Sequence, residues 1–551
     1  MGEAPRRNQR DQSSVNEKIL KVEAVKRVEL ITAILLSSVV LFLLIARATH
    51  GGALWRDESD SVQLARMPTW GDMLEQMQFT SFPVVFPALI RAYTTLFGTS
   101  DTSLRCFGLM VGVAFMCIAW FSSRTLFNEA PLISLALIGL NTTFLTMGTS
   151  IRGYGLGCVL MVLAFTLTAK LLLQPTARWF ASVFLAYLAS MQCLFFDGVL
   201  VPAMALAAAI VWVSRGRLKL ALTLTGAVAI CLIAYVPYIK TLSRTKEWGA
   251  VQKWPTSFEM LWNHLNIACG TAPWITPYVW HIIFFASVIG AVWRLTIIWR
   301  RQTGFESSLL LFGLLTSLIS IVAYYRFLRW LYTFPWPRYY LALICLVAVS
   351  VDLIIANLSR FPWARIARVI FVIALLILLP WAAWPQIILR ATNVDLVAEM
   401  IHRQASPNDL VVVNPWYLGV SFNRYYHGPA RWITAPDIND HQTHRYDLLR
   451  EKMMSTGPID DVFDAMKQTL KSGNRVWLTG AQLLPPGQSP SVLPPATSSQ
   501  LNWAGYETSW SQQIGTFVQQ HAESGRFFDP PAAVVNEFEN VPLLALQGWR
   551  D

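Results

Sequence analysis

Charged residues are scarce in this 551-residue sequence. Only 14% of the side chains are Asp, Glu, Lys or Arg, whereas 54% are hydrophobic. Soluble domains carry about 25% charged residues, so the composition excludes an ordinary soluble protein and indicates an integral membrane protein. Several apolar runs approach the roughly 20 residues that cross a bilayer. The net charge of +11 is therefore interpreted as a signal of membrane topology and not of nucleic-acid binding.

Motifs for soluble nucleotides are also absent. Neither GxGxxG nor GxxxxGK[ST] occurs, and the sequence has no internal repeat. The seven cysteines end at Cys345, so the long C-terminal part has no disulfide framework. The first apolar run, 28–46, lacks a small-residue cleavage site. We therefore expect a retained anchor there and not a cleaved signal peptide.

The distribution of basic residues predicts the topology. The tail 1–27 is polar and basic, which places it in the cytoplasm by the positive-inside rule. Eleven spans are expected, at 28–46, 103–123, 131–149, 154–173, 179–197, 198–214, 219–238, 278–297, 307–325, 339–357 and 368–388. The proline-containing segment 81–98 is expected to lie in the interface. An odd number of spans puts the first loop, 47–102, and the C-terminal part on the same extracytoplasmic side.

The predicted fold class is therefore an α-helical polytopic membrane protein with a C-terminal extracytoplasmic α/β domain. Its three parts are a cytoplasmic tail (1–27), a transmembrane module (28–388) and the C-terminal domain (389–551). Within the last part, helical patterns at 394–404 and 460–470 alternate with strand-like runs at 410–413 and 475–478, and 485–499 is a proline- and serine-rich loop.

An acidic stretch, Trp55-Arg56-Asp57-Glu58-Ser59-Asp60, follows the first span. Carboxylates beside a membrane are usually retained for a function, although a solvated turn is the simple alternative. Neighbours on a helix diverge by about 100°, so Asp57 and Glu58 cannot both face one reacting atom. One of them is a candidate base and the other an anchor. Asp57 and Asp60 share a face, which leaves room for a divalent cation, and no other cofactor is indicated.

Two arginine motifs are expected on the same side as the acidic stretch. Arg152 and Tyr154 lie at the end of the third expected span, and Arg338 and Tyr339 begin the tenth. The simple alternative is that each arginine side chain only reaches from the membrane to the water interface with its charged end. The functional alternative is that their guanidinium groups bind a carboxylate of the first loop or a lipid phosphate.

Three further candidates are less specific. Arg244 and Lys246 lie in the aromatic-rich loop 241–277, where tryptophans serve either as interfacial anchors or as contacts for a sugar or lipid. Asp197 is an ionisable residue within apolar sequence, which indicates either a functional site or a turn between two spans.

These motifs, in this order, resemble those of the GT-C membrane glycosyltransferases of the protein mannosyltransferase and aminoarabinose transferase group. The resemblance covers about residues 28–430 and includes the first-loop acidic pair, Leu96 to Gly98, Ser103 to Arg105, Arg152 with Tyr154, and Pro337 to Tyr339. The sequence departs from the family at 81–83, where relatives have His-Pro-Pro, and at Gln192-Cys193, where relatives have Thr-His.

The resemblance implies an enzyme of the bacterial inner membrane. It would move a sugar from a polyprenyl-phosphate donor to a glycan, lipid or protein acceptor of the cell envelope. Membrane lipids would surround the enzyme. Asp57 or Glu58 would be the base. The substrate-binding and phosphate-binding residues would be Arg56, Arg152, Tyr154, Asp197, Arg244, Lys246, Arg338 and Tyr339. The alternatives are a transporter or flippase of lipid-linked glycan, and a non-catalytic envelope protein that binds glycan lipids.

Overall fold

The apolar runs of the sequence form a bundle of helices. The structure, a computed structural model, describes residues 5–80, 82–239, 241, 243, 256–301, 305–358, 362–480, 482–485, 487–497, 503–529, 534–536 and 539–551. The helices up to residue 387 are α1 (Pro5–His50), α2 (Arg56–Ala65), α3 (Trp70–Gln76), α4 (Val85–Phe97), α5 (Asp101–Phe127), α6 (Leu132–Gly139), α7 (Gly153–Leu173), α8 (Ala177–Met191), α9 (Asp197–Val213), α10 (Leu218–Ile233), α11 (Phe258–Ala268), α12 (Thr276–Arg301), α13 (Phe305–Leu331), α14 (Leu341–Leu358) and α15 (Pro362–Ile387).

The chain is a multi-pass membrane protein. In its described part, eight helices are long and apolar enough to cross a membrane: Glu23–His50, Asp101–Phe127, Gly153–Leu173, Leu218–Tyr238, Thr276–Ile297, Ser307–Leu331, Pro337–Leu358 and Trp363–Ile387. The apolar helices α4, α8 and α9 are shorter. The expected number of eleven spans is not confirmed.

One reason for the lower count is a break in the segment 131–149. It forms the eight-residue α6 and then a π-helical turn, Phe144–Gly148. The Asn141 side chain lies at the break, where its oxygen accepts from the Phe144 N–H at 3.0 Å and its nitrogen donates to the Ala268 carbonyl at 2.9 Å. This side chain satisfies one backbone group at the break and one at the end of α11, which is required within apolar surroundings.

Helix α14 is the centre of the bundle, and almost all of its side chains are buried. Aromatic pairs fill the space between the surrounding helices, including Phe115 with Phe144 (4.6 Å between ring centroids) and Phe165 with Phe312 (5.1 Å). The two ends of the bundle differ in chemistry. At one end Glu29 is buried against Arg365 and Arg368, and the opposite end carries α2 and the C-terminal domain.

The C-terminal domain is an α/β fold, as the sequence predicted. Its strands are β1 (Leu410–Val413), β2 (Arg431–Thr434), β3 (Val476–Thr479), β4 (Ala522–Phe528) and β5 (Leu543–Trp549), in the spatial order β2-β1-β3-β5-β4. Its helices are α16 (Val394–Gln404), α17 (Gly419–Tyr425), α18 (Tyr446–Met454), α19 (Asp460–Lys471) and α20 (Trp503–His521). Strands β2, β1 and β3 are parallel, whereas β5 pairs antiparallel with both β3 and β4.

The apolar run of β1 is buried on both faces. Leu410 and Val412 join one hydrophobic cluster, and Val411 and Val413 join the other, as the alternation of a strand requires. Covered faces are typical of a parallel sheet flanked by helices. The four sequence-predicted elements α16, β1, α19 and β3 are confirmed, with boundaries within one residue.

The C-terminal domain packs directly on the first loop of the transmembrane module. Helix α17 lies against α2, where Gln63 donates to the Val420 carbonyl at 2.9 Å and accepts from the Asn423 amide at 2.6 Å. Tyr425 accepts from the Leu54 N–H at 2.7 Å. These bonds bring the C-terminal domain to the beginning of α2, where the acidic stretch lies.

Candidate active site

The acidic stretch forms the first turn of α2. Trp55 is the N-cap, and the Glu58 carboxylate three residues later accepts from the Trp55 N–H at 3.3 Å. Acidic side chains in a first turn are stabilised by the free N–H groups and the helix dipole, which explains why the helix begins here. Asp57 and Glu58 leave this turn in different directions and meet different partners.

Glu58 is completely buried and forms a two-pronged ion pair with Arg105, with Nη1–Oε1 at 2.8 Å and Nη2–Oε2 at 3.1 Å. It also accepts from the Ile151 N–H at 2.9 Å. The Arg105 Nη2 additionally donates to the Ala53 carbonyl at 2.7 Å. Glu58 therefore ties α2 to α5 and to the chain ahead of α7. Both of its carboxylate oxygens already accept hydrogen bonds from the protein.

Asp57 is surrounded by three arginines and one histidine, three of which come from distant parts of the chain. Its Oδ2 lies 3.7 Å from Arg338 Nη2 and 3.9 Å from Arg152 Nη2. Its Oδ1 lies 3.4 Å from His444 Nε2 and 3.9 Å from Arg56 Nε. The Asp57 side chain keeps 15% of its surface exposed, against 1% for Glu58. Of the two adjacent carboxylates, Asp57 is therefore the more exposed.

Arg152 is held in place from several sides. Its Nη1 donates to the Asp57 carbonyl at 2.9 Å and to Ser61 Oγ at 3.2 Å, and its guanidinium carbon lies 4.5 Å from the Phe82 ring centroid. The backbone after it approaches the π-helical turn closely. A side chain at Gly155 would lie 1.7 Å from the Gly148 carbonyl oxygen, so only glycine fits there.

Arg338 lies among aromatic rings at the start of its membrane helix. Its guanidinium carbon is 5.0 Å from the Trp336 ring, and 5.6 Å from both the Trp55 and the Tyr339 rings. Tyr339 in turn lies 6.2 Å from Tyr154, which is buried. The two aromatic residues of the predicted motifs therefore pack beside the arginines and position them.

The cations outweigh the effect of burial on Asp57. Burial alone would raise the pKa of its carboxyl, but Arg152, His444 and Arg338 hold the pKa of Asp57 well below its usual range. Asp60 is buried beside it, 3.5 Å from Arg152 Nη1, and burial raises the pKa of Asp60. The described side chains around these two carboxyl groups include three guanidinium groups (Arg56, Arg152 and Arg338), and the Glu539 carboxyl contacts the Arg56 N–H.

The expected cation position between Asp57 and Asp60 is occupied by protein. The Arg152 guanidinium contacts both carboxylates, so it already supplies the positive charge that a divalent ion would bring. In the described ranges, no group of three or more His, Cys, Asp or Glu side chains is arranged to hold a metal ion.

Asp197 lies apart from this cluster. It is fully buried as the first residue of α9, where its Oδ2 accepts from Ser190 Oγ at 2.7 Å. Its neighbour Phe196 packs on Tyr339 at 4.8 Å, which is the link between Asp197 and the site. Arg244 and Lys246 lie outside the described residues.

The sequence did not predict the contribution of the C-terminal domain. His444 approaches Asp57, the Tyr417 ring lies 4.1 Å from the Arg56 guanidinium, and Glu539 accepts from the Arg56 N–H at 3.1 Å. These residues follow Asp57 by more than 350 positions and belong to no motif. Only the packing of the two domains brings them together.

Comparisons with known proteins found similar solved structures only. No family model and no curated protein matches the sequence. ArnT from Cupriavidus metallidurans, bound to undecaprenyl phosphate, matches with a TM-score of 0.47 and 11% identity over 81% of this chain and 92% of its own. The oligosaccharyltransferase of Archaeoglobus fulgidus in the apo form matches with a TM-score of 0.48 and 9% identity over 92% of this chain and 75% of its own.

A third solved structure is AglB from Archaeoglobus fulgidus in complex with an inhibitory peptide and a dolichol-phosphate, at a TM-score of 0.48 and 11% identity. These neighbours are membrane glycosyltransferases of the GT-C superfamily, which is the group that the sequence motifs resemble. With TM-scores below 0.5 and identities of 9–11%, the relation of this chain to that superfamily stays a resemblance.

Two carboxyl groups of the C-terminal domain make the stability of the protein depend on pH. Burial raises the pKa of Glu539 to about 7, although Arg56 acts in the opposite direction, and burial likewise raises the pKa of Glu507 to about 7. Between the ordinary glutamate value of 4.5 and about 7, the folded state binds more protons than the unfolded state. Stability therefore falls as pH rises through this window.

We expect Glu539→Gln to weaken this dependence. The substitution removes a cost of about 3 kcal/mol that the charged side chain imposes at pH 8, and the amide oxygen can still accept from the Arg56 N–H. The unfolding midpoint in detergent, measured from pH 5.5 to 8, should fall less steeply in the variant. Glu451→Gln, at an exposed glutamate, is the control. Parallel curves for Glu539→Gln and the wild type would contradict this account of Glu539.

Proposed function

We propose that the protein is a membrane glycosyltransferase that moves a sugar from a polyprenyl-phosphate donor to an acceptor of the cell envelope. The supporting observation is the convergence of one reachable carboxylate, Asp57, with the guanidinium groups of Arg56, Arg152 and Arg338. These residues come from three distant parts of the chain: the first turn of α2, and the beginnings of the spans Gly153–Leu173 and Pro337–Leu358.

An anionic lipid headgroup fits the charge of this cluster. Arg152 directly precedes the span Gly153–Leu173, and Arg338 begins the span Pro337–Leu358, so both lie where a lipid phosphate would lie. In the described part of the chain, Arg56 Nη1, Arg152 Nε and Arg338 Nε have no hydrogen-bond partner. The Arg152 and Arg338 guanidinium groups would bind a phosphate through charge-assisted hydrogen bonds.

The proposed reaction is a direct displacement. Asp57 removes the proton from an acceptor hydroxyl while the hydroxyl oxygen forms a bond to the anomeric carbon. The bond between that carbon and the donor phosphate breaks, and the lipid phosphate leaves with the electron pair. Arg152 and Arg338 stabilise the negative charge that develops on it. One displacement inverts the anomeric centre.

The other predicted residues receive supporting roles. Glu58 fixes the first turn of α2 through Arg105, which leaves Asp57 as the base. Tyr154 and Tyr339 orient the arginines through ring packing. We place the protein in the bacterial inner membrane, with the site and the C-terminal domain on the extracytoplasmic face, where lipid-linked sugars replace nucleotide sugars as donors.

Replacing Arg338 by glutamine should lower the transfer rate by about 10²-fold, because one of the charges on the leaving phosphate is lost. The measurement is a cell-free transfer assay with a radiolabelled polyprenyl-phosphate sugar. Arg403→Gln is the control, because Arg403 is exposed in the C-terminal domain and pairs with Glu399 on the surface. Equal loss in both variants would contradict a specific role for Arg338.

A transporter of lipid-linked glycan is the second candidate, and one feature of the other end of the bundle favours it. Arg368 is buried against Glu29 and Glu129, and the buried Asp352 lies within α14. Buried charges in membrane helices often mark transport pathways. The same radiolabelled donor distinguishes the two functions. Transfer of the sugar supports the enzyme, whereas movement of the intact lipid across the bilayer without bond cleavage supports the transporter.

A further inference from the structure

The C-terminal domain brings one histidine to the catalytic carboxylate. His444 lies near the end of the segment that joins β2 to α18, and its side chain is buried. Its Nε2 is 3.4 Å from Asp57 Oδ1, which is the shortest of the four side-chain contacts of Asp57 named above. The His444 backbone N–H also donates to Asp60 Oδ1 at 3.1 Å. A single residue of the C-terminal domain thus contacts both carboxylates on this face of α2.

The contacts divide the two oxygens of Asp57. Arg152 and Arg338 both contact Oδ2, whereas His444 and Arg56 contact Oδ1. In the described chain, neither ring nitrogen of His444 bonds to a group other than Asp57, so its contact with Asp57 is not in competition with a bond elsewhere. Contacts on both oxygens restrict rotation of the carboxylate about its Cβ–Cγ bond, and His444 makes the shorter of the two contacts on Oδ1.

The position of His444 is fixed by its surroundings. The next residue, Arg445, pairs with Asp440 at 2.5 Å and Asp447 at 2.7 Å and lies 4.8 Å from the Phe79 ring of the transmembrane module. The rings of Trp416 and Tyr446 lie 6.2 and 5.9 Å from the His444 ring. Trp416 follows β1 and His444 follows β2, so both come from the carboxyl edge of the parallel strands, where α/β domains place functional side chains.

We infer that the C-terminal domain is part of the active site and that His444 is a positioning residue, which holds the Asp57 carboxylate in the orientation for proton removal. This inference rests on the proposed function of Asp57 as the base. Oδ2 then stays with the arginines that bind the leaving phosphate. Oδ1 is the oxygen that takes the acceptor proton, and His444 holds this oxygen in position beside the acceptor hydroxyl. A displacement of about 1 Å in such a group can reduce a rate by about 10²-fold.

The test compares two substitutions that differ in one property. His444→Leu keeps the volume but has no polar atom, whereas His444→Gln places an amide nitrogen near the position of Nε2. We expect His444→Leu to lower kcat by about 10- to 100-fold with an unchanged KM for the polyprenyl-phosphate sugar. His444→Gln should recover most of this loss. His441→Leu is the matched control, because His441 lies in the same segment and packs on Trp432.

Three outcomes would overturn the inference. Full activity of His444→Leu would show that Asp57 is held without it. Equal loss in His444→Leu and His444→Gln, with a lowered unfolding midpoint in both, would show a structural role alone. A rise in KM with unchanged kcat would assign His444 to binding. In each case Asp57→Asn, assayed in parallel, keeps the two proposals apart. If it is inactive, only the role of His444 fails, and if it is active, the assignment of Asp57 as the base fails as well. Absence of sugar transfer by the wild type would contradict the proposed function itself.

Discussion

Replacing Asp57 by asparagine should lower the rate of sugar transfer by about 10²–10⁴-fold, because an amide cannot accept the proton that a catalytic base removes. The substitution keeps the size of the side chain, and Asp60 remains 3.5 Å from Arg152 as a second negative charge. The protein should therefore fold and still bind polyprenyl phosphate. The measurement is the single-turnover rate with a radiolabelled polyprenyl-phosphate sugar, together with binding of the lipid phosphate itself.

Removal of the Asp57 charge also frees Arg152 and Arg338, both of which contact its Oδ2. We expect the lipid phosphate to bind at least as tightly to Asp57→Asn as to the wild type, because the arginines lose a competing anion. An unchanged transfer rate would exclude Asp57 as the base. A loss of lipid binding in step with the loss of rate would instead indicate that Asp57 organises the binding site.

Replacing Glu58 by alanine should affect stability first, whereas Asp57→Asn affects the rate. We expect a loss of about 3–5 kcal/mol in the free energy of unfolding. Glu58 is fully buried and supplies the carboxylate that pairs with Arg105 Nη1 at 2.8 Å. Without it, Arg105 is left as a buried charge that has lost its carboxylate, and the Ile151 N–H loses its acceptor. Expression and the unfolding midpoint in detergent report this loss.

The double variant Glu58→Leu with Arg105→Met is the control for this prediction. Exchange of both partners of a buried ion pair for apolar residues often costs little, whereas removal of one partner costs much. The double variant should thus be more stable than Glu58→Ala. If Glu58→Ala is as stable as the wild type but inactive, the assignment of the two adjacent carboxylates is reversed.

Part of the architecture could be predicted because it depends on local pattern. Apolar runs with periodicity located α16, β1, α19 and β3 to within one residue. The number of spans could not be derived in this way. The run 131–149 is apolar enough for a span, yet Asn141 interrupts it by bonding to the backbone of its own turn and of α11. Hydropathy does not register such a break.

The candidate site shows the same division. The sequence motifs named Asp57, Arg152 and Arg338, and the structure brings these three within ion-pair distance, although their roles remain predictions. The choice between Asp57 and Glu58 required the coordinates, because it depends on which carboxylate meets Arg105. His444 could not be predicted, because nothing in the sequence links a histidine of the C-terminal domain to a carboxylate in the first loop.

A structure of the protein bound to a polyprenyl phosphate tests the central claim most directly. The account predicts that the phosphate lies within hydrogen-bond distance of Arg338 and Arg152, with its chain along the membrane helices, and that Asp57 faces the position of the transferred sugar. A phosphate bound elsewhere, with the Asp57 cluster unchanged and closed to the lipid, would contradict it.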